Sequence, residues 1–200
     1  MKMKRGLLTF LFAITTFICL NAQENEMYIK SMLGGTLSTL TNLDNTKMKL
    51  GLVAGGEFGY RFSNPFALTA GVLFSMQGTA FKDGNAKKED ALSTLTYINV
   101  PVLANLYIVR GLAIKAGIQP AYLLSRSWTH DDYYINNIDY RTITNGTRKF
   151  DLSIPMGLSY EFSNFVFDFR YNLGLSTISS HADTHNSVFM LTFGYKTLFK

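Results

Sequence analysis

Residues 150–175 of this 200-residue chain read FDLSIPMGLSYEFSNFVFDFRYNLGL, and this stretch decides the fold. From Phe150 to Phe162 the even-numbered residues are apolar, and the residues between them are mostly small or polar. After Ser163-Asn164 the apolar residues move to the odd positions, beginning at Phe165. Only a β-strand sends successive side chains to opposite faces, so this alternation predicts two strands. The change of parity predicts a tight turn at Ser163-Asn164.

A two-residue turn also fixes which residues of the hairpin pair with each other. One face holds large apolar side chains, and the opposite face pairs Ser159 with Asp168 and Gly157 with Arg170. The predicted pairs on the apolar face are Phe162 with Phe165, Tyr160 with Phe167, Leu158 with Phe169, and Met156 with Tyr171.

The sizes of these side chains indicate which face is the inside of a barrel. An eight-stranded barrel encloses only enough room for side chains to fill it. The face of Gly, Ser and charged residues fits such an interior, whereas the face rich in Phe and Tyr suits lipid. The hairpin therefore predicts a transmembrane β-barrel. The alternative is a lipocalin-like soluble barrel with an apolar interior.

The first 22 residues have the features of a signal peptide. Lys2, Lys4 and Arg5 precede an apolar segment that ends near Asn21-Ala22, and this segment is too short to span a bilayer as a helix. Cys19 lies within it and lacks the small preceding residues of a lipoprotein signal. Cleavage would leave 16 basic against 14 acidic residues, so nothing suggests nucleic-acid binding. The predicted organisation is a signal peptide over 1–22 and one barrel domain over 23–200.

Eight strands can be counted, which is the even number that a single-chain outer-membrane barrel requires. The alternation does not decide which face of the first strand points inward. The predicted strands are Tyr28–Leu40, Leu50–Phe62, Phe66–Gly78, Leu95–Ile108, Leu112–Ser125, the two strands of the hairpin, and Val188–Phe199.

The predicted connections alternate between short and long. Short turns belong at the periplasmic end of such barrels and long loops at the outer end. The short turns are Ser63-Asn64-Pro65, Val109-Arg110-Gly111 and Ser163-Asn164, and the long loops are Thr41–Lys49, Lys82–Thr94, Arg126–Arg148 and Ser179–Ser187. The chain is thus expected to form an all-β, eight-stranded antiparallel up-and-down barrel in the outer membrane.

Three stretches resemble the PorT-like outer-membrane β-barrels of Bacteroidetes. They are Tyr97–Leu103 (YINVPVL), Gly157–Phe162 with its Tyr-Glu-Phe ending, and Phe167–Leu175 (FDFRYNLGL). The resemblance implies the same barrel architecture, and it implies a link to protein secretion, to which the family's namesake is tied. The chain departs from the usual aromatic ending of such barrels, because Lys200 follows Phe199.

Charged residues are predicted to face the lumen in nearly equal numbers. A buried charge without a partner costs several kcal/mol, so mutual neutralisation in a network that fills the lumen is expected. The alternative is a proton path or a narrow pore for ions or small solutes. The predicted network contains Glu57, Asp151, Glu161 and Asp168 with Arg61, Lys115, Arg170 and Lys196, and Lys30 is a further cation.

The loop Arg126–Arg148 is the candidate partner-binding loop. It carries Trp128, Tyr133, Tyr134 and Tyr140, and aromatic side chains among asparagines give a large and adaptable contact surface. The alternative is that the loop folds back as a lid over the barrel mouth.

The histidines and prolines support narrower predictions. His130, His181 and His185 lie in predicted loops, where metal binding with Asp183 is chemically possible but solvated side chains are the simpler reading. No histidine lies on a predicted strand to build a hydrolase site, so no catalysis and no cofactor are expected. Three prolines, Pro101, Pro120 and Pro155, lie within strands, which predicts bulges or missing ladder bonds there.

The sequence leaves three functional hypotheses open. The first is a binding or accessory module of the cell envelope, whose outer loop or turn face binds other envelope components. The second is a narrow channel, and the third is a purely structural barrel. The expected partners are outer-membrane lipid and an envelope or secretion protein, and the barrel itself is expected to be monomeric.

Overall fold

The computed structural model describes residues 26–41, 46–81, 91–128, 134–135, 138–139, 148–177 and 185–199. Within these residues no helix is long and apolar enough to cross a membrane. The strands are β1 (Glu26–Leu40), β2 (Thr46–Arg61), β3 (Phe66–Phe81), β4 (Ala91–Asn99), β5 (Val102–Val109), β6 (Leu112–Trp128), β7 (Tyr134–Ile135), β8 (Ile138–Asp139), β9 (Phe150–Phe162), β10 (Phe165–Gly174) and β11 (Asn186–Phe199).

The long strands close into an antiparallel barrel. Each strand pairs with its neighbours along the chain, and β1 pairs with β11 from Met27 opposite Phe199 to Leu40 opposite Asn186. β4 and β5 together form one strand of the barrel, since both pair with β3 on one side and β6 on the other. The barrel therefore has the eight strands predicted from the sequence. β7 and β8 form a separate two-stranded hairpin within the loop after β6.

The register predicted for the β9–β10 hairpin is confirmed. Phe162 pairs with Phe165 across the turn, and Ser159 and Gly157 pair with Asp168 and Arg170. The alternation allows only registers that differ by two residues, and the two-residue turn at Ser163-Asn164 selects one of them.

The outer surface of the barrel is apolar along every long strand. On β10, Phe167 and Phe169 are about half exposed, whereas Asp168 and Arg170 between them are buried. The structure also settles the faces of β1: Tyr28, Lys30 and Met32 point into the lumen, while Ile29 and Leu33 point outward. In this strand both faces contain apolar residues, which is why the sequence pattern did not separate them.

Several strands extend further toward the long-loop end than predicted. β2 begins at Thr46 instead of Leu50, β6 ends at Trp128 instead of Ser125, and β11 begins at Asn186 instead of Val188. β3 and β4 also continue, to Phe81 and from Ala91, so each predicted long loop includes residues that belong to strands. In one such end, Thr46-Lys47-Met48-Lys49, Met48 is the single apolar residue, so the alternation there is too weak to indicate a strand.

The three prolines interrupt the ladder without shifting its register. The strand breaks at Val100-Pro101, where Val100 donates its amide to the Pro120 carbonyl at 2.9 Å, and the pairing resumes in the same register. Between β6 and β9 the pairing skips the positions around Pro155. Missing ladder bonds are thus observed and bulges at the prolines are not, because removing one N–H donor does not require an extra residue. The β4–β6 irregularity lies instead between Thr96 and Tyr97.

Gly111 is a required glycine of the turn between β5 and β6. Its φ is +87°, and an added Cβ would lie 2.5 Å from the Glu161 carbonyl oxygen. We expect Gly111→Ala to lower the free energy of unfolding by about 1–2 kcal/mol, because an L-residue is strained in this conformation. Urea unfolding in detergent micelles measures the change. The control is Ser163→Ala, since Ser163 already has a φ of 55° with a side chain. Equal effects of the two substitutions would contradict the prediction.

Candidate functional site

Five charged residues form a network in the middle of the lumen, here called the central network: Lys30, Glu57, Lys115, Asp168 and Arg170. Asp168 is its hub. Arg170 donates to Asp168 through Nε at 2.7 Å and through Nη2 at 2.9 Å, and Lys30 donates to it at 3.1 Å. Lys115 also pairs with the Asp168 carboxylate. Glu57 receives Arg170 Nη1 at 2.5 Å and Lys30 Nζ at 2.8 Å.

The central network connects strands that are not neighbours. Lys30, Glu57 and Lys115 lie on β1, β2 and β6, whereas Asp168 and Arg170 lie on β10. The Arg170–Glu57 pair therefore reaches past β11 and β1 to join β10 to β2. All five side chains are buried, and Arg170 is only 1% exposed. Three cations face two carboxylates, so the network carries one excess positive charge when all five are ionised.

Four charged residues form a second network at the short-turn end, here called the mouth network: Glu26, Arg61, Glu161 and Lys196. Lys196 donates to Glu161 at 2.9 Å, and the Tyr107 hydroxyl donates to the same carboxylate at 2.5 Å. Arg61 bonds Glu26 at 3.4 Å and Glu161 at 3.5 Å, and its guanidinium lies 4.0 Å from the centre of the Tyr107 ring. These contacts span the mouth of the barrel from β2 to β9.

A cavity of about 790 Å³ lies at this mouth. Its walls include Glu26, Arg61 and Glu161 of the mouth network, and its rim is formed by Asn64 and residues 108–111 of the short turns. A volume of this size is within the range of small-molecule and peptide side-chain sites. The cavity brings acidic and basic groups together on the turn face of the barrel.

The lumen also contains an apolar cluster, which the sequence reasoning missed. Met32, Val53, Leu73 and Met190 are buried against each other, and Met190 pairs with Arg170 in the β10–β11 ladder. The sequence analysis did not assign these four apolar residues to the interior. A lone apolar residue at an inward position carries no signal in a strand whose outward positions are apolar too.

Asp151, predicted as a member of the charge network, lies toward the long-loop end of the lumen. Its carboxylate accepts hydrogen bonds from the Ser176 hydroxyl at 2.5 Å and the Asn186 amide at 2.8 Å. His185 lies nearby, with Nδ1 3.1 Å from the Ser176 carbonyl oxygen. The Ser176 hydroxyl points to Asp151 and not to the His185 ring, so these three residues do not have the arrangement of a nucleophile activated by histidine.

The predicted loop site and metal ligands fall largely outside the described residues. The backbones of Trp128 and Tyr134 belong to β6 and β7, while Tyr133 and Tyr140 lie outside the described residues. His130, His181 and Asp183 lie outside them as well. Among the residues that the structure describes, no group of three or more His, Cys, Asp or Glu could hold a metal ion.

Sequence reasoning also missed several partners of the predicted charged residues. Glu26 belongs to the mouth network and Tyr107 donates to its Glu161, while Ser176 and Asn186 donate to Asp151. Glu161 and Arg61 are 100 positions apart in the sequence, so only the closed barrel brings them together. The inward parity of Tyr107 was the one available signal.

The fold and the charged lumen define a small β-barrel of the bacterial outer membrane. The sequence model of the outer membrane protein beta-barrel domain family matches residues 21–180, and the chain belongs to this family. No curated protein matches the chain significantly.

Solved outer-membrane barrels are similar to this chain at low sequence identity and with TM-scores below 0.5. Ail of Yersinia pestis, solved in complex with the heparin analogue sucrose octasulfate, is 19% identical over 88% of this chain and 100% of Ail, with a TM-score of 0.48. Neisserial surface protein A is 14% identical over 86% of this chain and 97% of its own, with a TM-score of 0.48. OprG of Pseudomonas aeruginosa is 14% identical over 88% and 98%, with a TM-score of 0.41. Identities this low say nothing about function.

Proposed function

We propose that this outer-membrane barrel is a binding or accessory module of the cell envelope whose lumen is filled and does not conduct. The observation that carries the proposal is the central network, in which Arg170 and Asp168 of β10 are ion-paired with residues of β1, β2 and β6. A solute crossing the barrel would have to separate these buried pairs. Breaking one buried pair costs about 3–5 kcal/mol, which opposes spontaneous opening.

The apolar cluster supports the same proposal. Met32, Val53, Leu73 and Met190 adjoin the central network, and no more than 4% of any of them is exposed. Apolar side chains that fill a constriction exclude water and ions. Ion pairs and apolar side chains therefore fill adjoining parts of the lumen. The surfaces that remain for binding a partner are at the two ends of the barrel.

Each end offers one candidate surface. At the short-turn end the cavity beside Arg61 and Glu161 presents both charges to an envelope partner. At the long-loop end the candidate is the aromatic loop with Trp128, Tyr133, Tyr134 and Tyr140. The resemblance to PorT-like barrels favours a secretion protein as the partner. The proposal includes cleavage of the signal peptide 1–22, a monomeric barrel in contact with lipid, and no catalytic activity.

The test is purification of the tagged protein from native outer membrane in mild detergent, with mass spectrometry of the proteins that stay bound. We expect one stoichiometric partner. Deleting residues 129–147 removes the aromatic loop, and the matched control deletes residues 82–90 of another long loop. Arg110→Glu reverses one exposed charge at the rim of the short-turn cavity. Loss of the partner in one variant identifies the surface, and a barrel without any partner contradicts the accessory role.

The second candidate function is a narrow pore. It is favoured by the approximately 790 Å³ cavity at the short-turn mouth, from which ions would enter, and by the excess cation in the central network. Planar-bilayer recording separates the candidates. A filled lumen gives no discrete current steps, whereas steady single-channel steps that change size in Arg170→Gln would replace the accessory proposal with the pore.

A further inference from the structure

A second polar region of the lumen lies between the central network and the long-loop end of the barrel, and it surrounds a small cavity. The cavity has a volume of about 10 Å³, which is room for one water molecule or one ion. Ala121 and Val188 form part of the lining, and the rest consists of five amide side chains, one carboxylate and one hydroxyl: Gln77, Asn99, Gln119, Asn172, Asn186, Asp151 and Ser153. We refer to it as the amide-lined cavity.

The N–H groups of four of these five amides already donate to acceptors of the protein. Gln77 donates to Ser75 at 2.8 Å, and Asn99 donates to Ser75 at 2.8 Å and to the Leu73 carbonyl at 3.2 Å. Gln119 donates to Asn99 at 3.4 Å, and Asn186 donates to Asp151 at 2.8 Å. For Asn99, Gln119 and Asn186 these bonds fix which end of the amide is nitrogen. Their acceptors are carbonyl or carboxylate oxygens, so a flipped amide would place two acceptors face to face.

Several carbonyl oxygens of these amides consequently have no hydrogen-bond partner. The carbonyl oxygens of Gln119, Asn172 and Asn186 are buried without a hydrogen-bond donor, and each of these residues is no more than 3% exposed. A buried unpaired polar atom costs about 1–3 kcal/mol. Among the residues that line the cavity, only one donor, the Asn172 amide nitrogen, is unpaired. The buried Tyr97 hydroxyl, which interacts with Asn186, is also unpaired but does not line the cavity. The lining therefore has more unpaired acceptors than unpaired donors.

The one charged group that lines the cavity is negative, so the cavity attracts cations. Asp151 is the one carboxylate of the lining, and its two oxygens receive uncharged donors, Ser176 and Asn186. Carboxylate, amide carbonyl and hydroxyl oxygens are the ligand set of hard cations such as Ca²⁺. Mg²⁺ usually keeps several of its waters, and a cavity of this size has no room for them.

We propose that the amide-lined cavity binds one dehydrated hard cation of the Ca²⁺ or Na⁺ type, with Gln119, Asp151, Asn172 and Asn186 as oxygen ligands. These residues lie on β6, β9, β10 and β11, so the bound cation joins four strands of the barrel wall. The site is independent of the accessory or pore function of the barrel.

The test is thermal unfolding of the full mature chain, folded in detergent, stripped with EDTA and transferred to choline chloride. CaCl₂, NaCl and MgCl₂ are then titrated at constant ionic strength. We expect Ca²⁺ or Na⁺ to raise the unfolding temperature saturably, since a ligand that binds only the folded state stabilises it. Mg²⁺ has the weaker effect. The absence of any saturable effect, or an equal effect of choline, overturns the proposal.

Asn172→Ala is the decisive variant. Both polar atoms of the Asn172 side chain are unpaired, so its removal breaks no hydrogen bond. The midpoint of the cation titration should rise by about 10-fold or more. The matched control is Asn105→Ala, because Asn105 is another buried lumen asparagine with an unpaired oxygen and does not line this cavity. An unchanged midpoint in Asn172→Ala would indicate a bound water only.

A direct measurement keeps the proposal falsifiable if the variant fails to fold. Equilibrium dialysis of the wild-type barrel with radioactive Ca²⁺ or Na⁺ gives the number of bound ions. One ion per barrel supports the site, and none overturns it. Asp151→Asn, which keeps the shape of the side chain and removes its charge, should reduce that number below one.

Discussion

Asp168→Asn is expected to destabilise the folded barrel by about 3–5 kcal/mol, the usual cost of breaking a buried ion pair from one side. Asp168 accepts hydrogen bonds from Lys30 and Arg170 and also pairs with Lys115. Without its charge, those three buried cations share the single carboxylate of Glu57. The net charge of the central network rises from +1 to +2 in a region from which water is largely excluded.

Net charge predicts the order of effects within the central network. Arg170 pairs with both carboxylates, but Arg170→Met leaves two cations facing two carboxylates, so no excess charge remains. It should therefore be less destabilising than Asp168→Asn. Adding Lys115→Met to Asp168→Asn restores the net charge to +1 and should recover part of the loss. Urea unfolding of refolded protein in detergent gives all four free energies of unfolding.

Ser159→Ala is the control for this set. Ser159 is buried and pairs with Asp168 across the β9–β10 ladder, yet it carries no charge. A change below about 1 kcal/mol is expected for the loss of one hydroxyl. If Arg170→Met proves more damaging than Asp168→Asn, hydrogen-bond geometry and not net charge governs the network.

Phe169→Arg is expected to cost about 2–4 kcal/mol, the penalty for arginine on the lipid face near the middle of a bilayer. Phe169 lies midway along β10, is 46% exposed on the outer surface, and its ring centre lies 6.2 Å from that of Phe189. Its neighbour Arg170 faces the lumen, so two adjacent positions differ completely in their tolerance of the same side chain. Unfolding in lipid vesicles measures the penalty.

The depth dependence provides the control for this prediction. Phe162 is the last residue of β9 and lies beside the short turn at Ser163-Asn164, where the membrane meets water. Phe162→Arg should cost only about 0–1 kcal/mol, because an arginine near the interface keeps its contact with water. Equal penalties at positions 162 and 169 would mean that the outward face of β10 is not surrounded by lipid.

The barrel was predictable from sequence where a single physical constraint acted on every residue. Lipid on one side of the sheet and a narrow lumen on the other require large apolar and small or polar side chains to alternate along each strand. Together with the tight turn, this alternation fixed the register from Phe150 to Gly174. In β1 the signature fails, because Tyr28 and Met32 face inward and Gly35 lies among the outward positions.

The contents of the lumen were only partly predictable. Parity placed Glu57, Asp168 and Arg170 inside, but it gave no information about which charges meet. Those contacts depend on the curvature of the closed barrel, which brings β10 opposite β2. The amide-lined cavity escaped prediction for a related reason. The sequence does not show which hydrogen bonds the inward asparagine and glutamine side chains make, and those bonds decide which amide oxygens are left unpaired.

The closure between β1 and β11 makes the last 14-residue strand decisive for the fate of the whole chain. A chain that ends early, through premature termination or proteolytic clipping, would expose the free edges of β1 and β10 to the membrane interior. Each unpaired backbone group in hydrocarbon costs several kcal/mol, so such a fragment has no stable inserted state. A chain that lacks β11 therefore does not persist in the bilayer, whereas a chain that includes β11 can close the barrel.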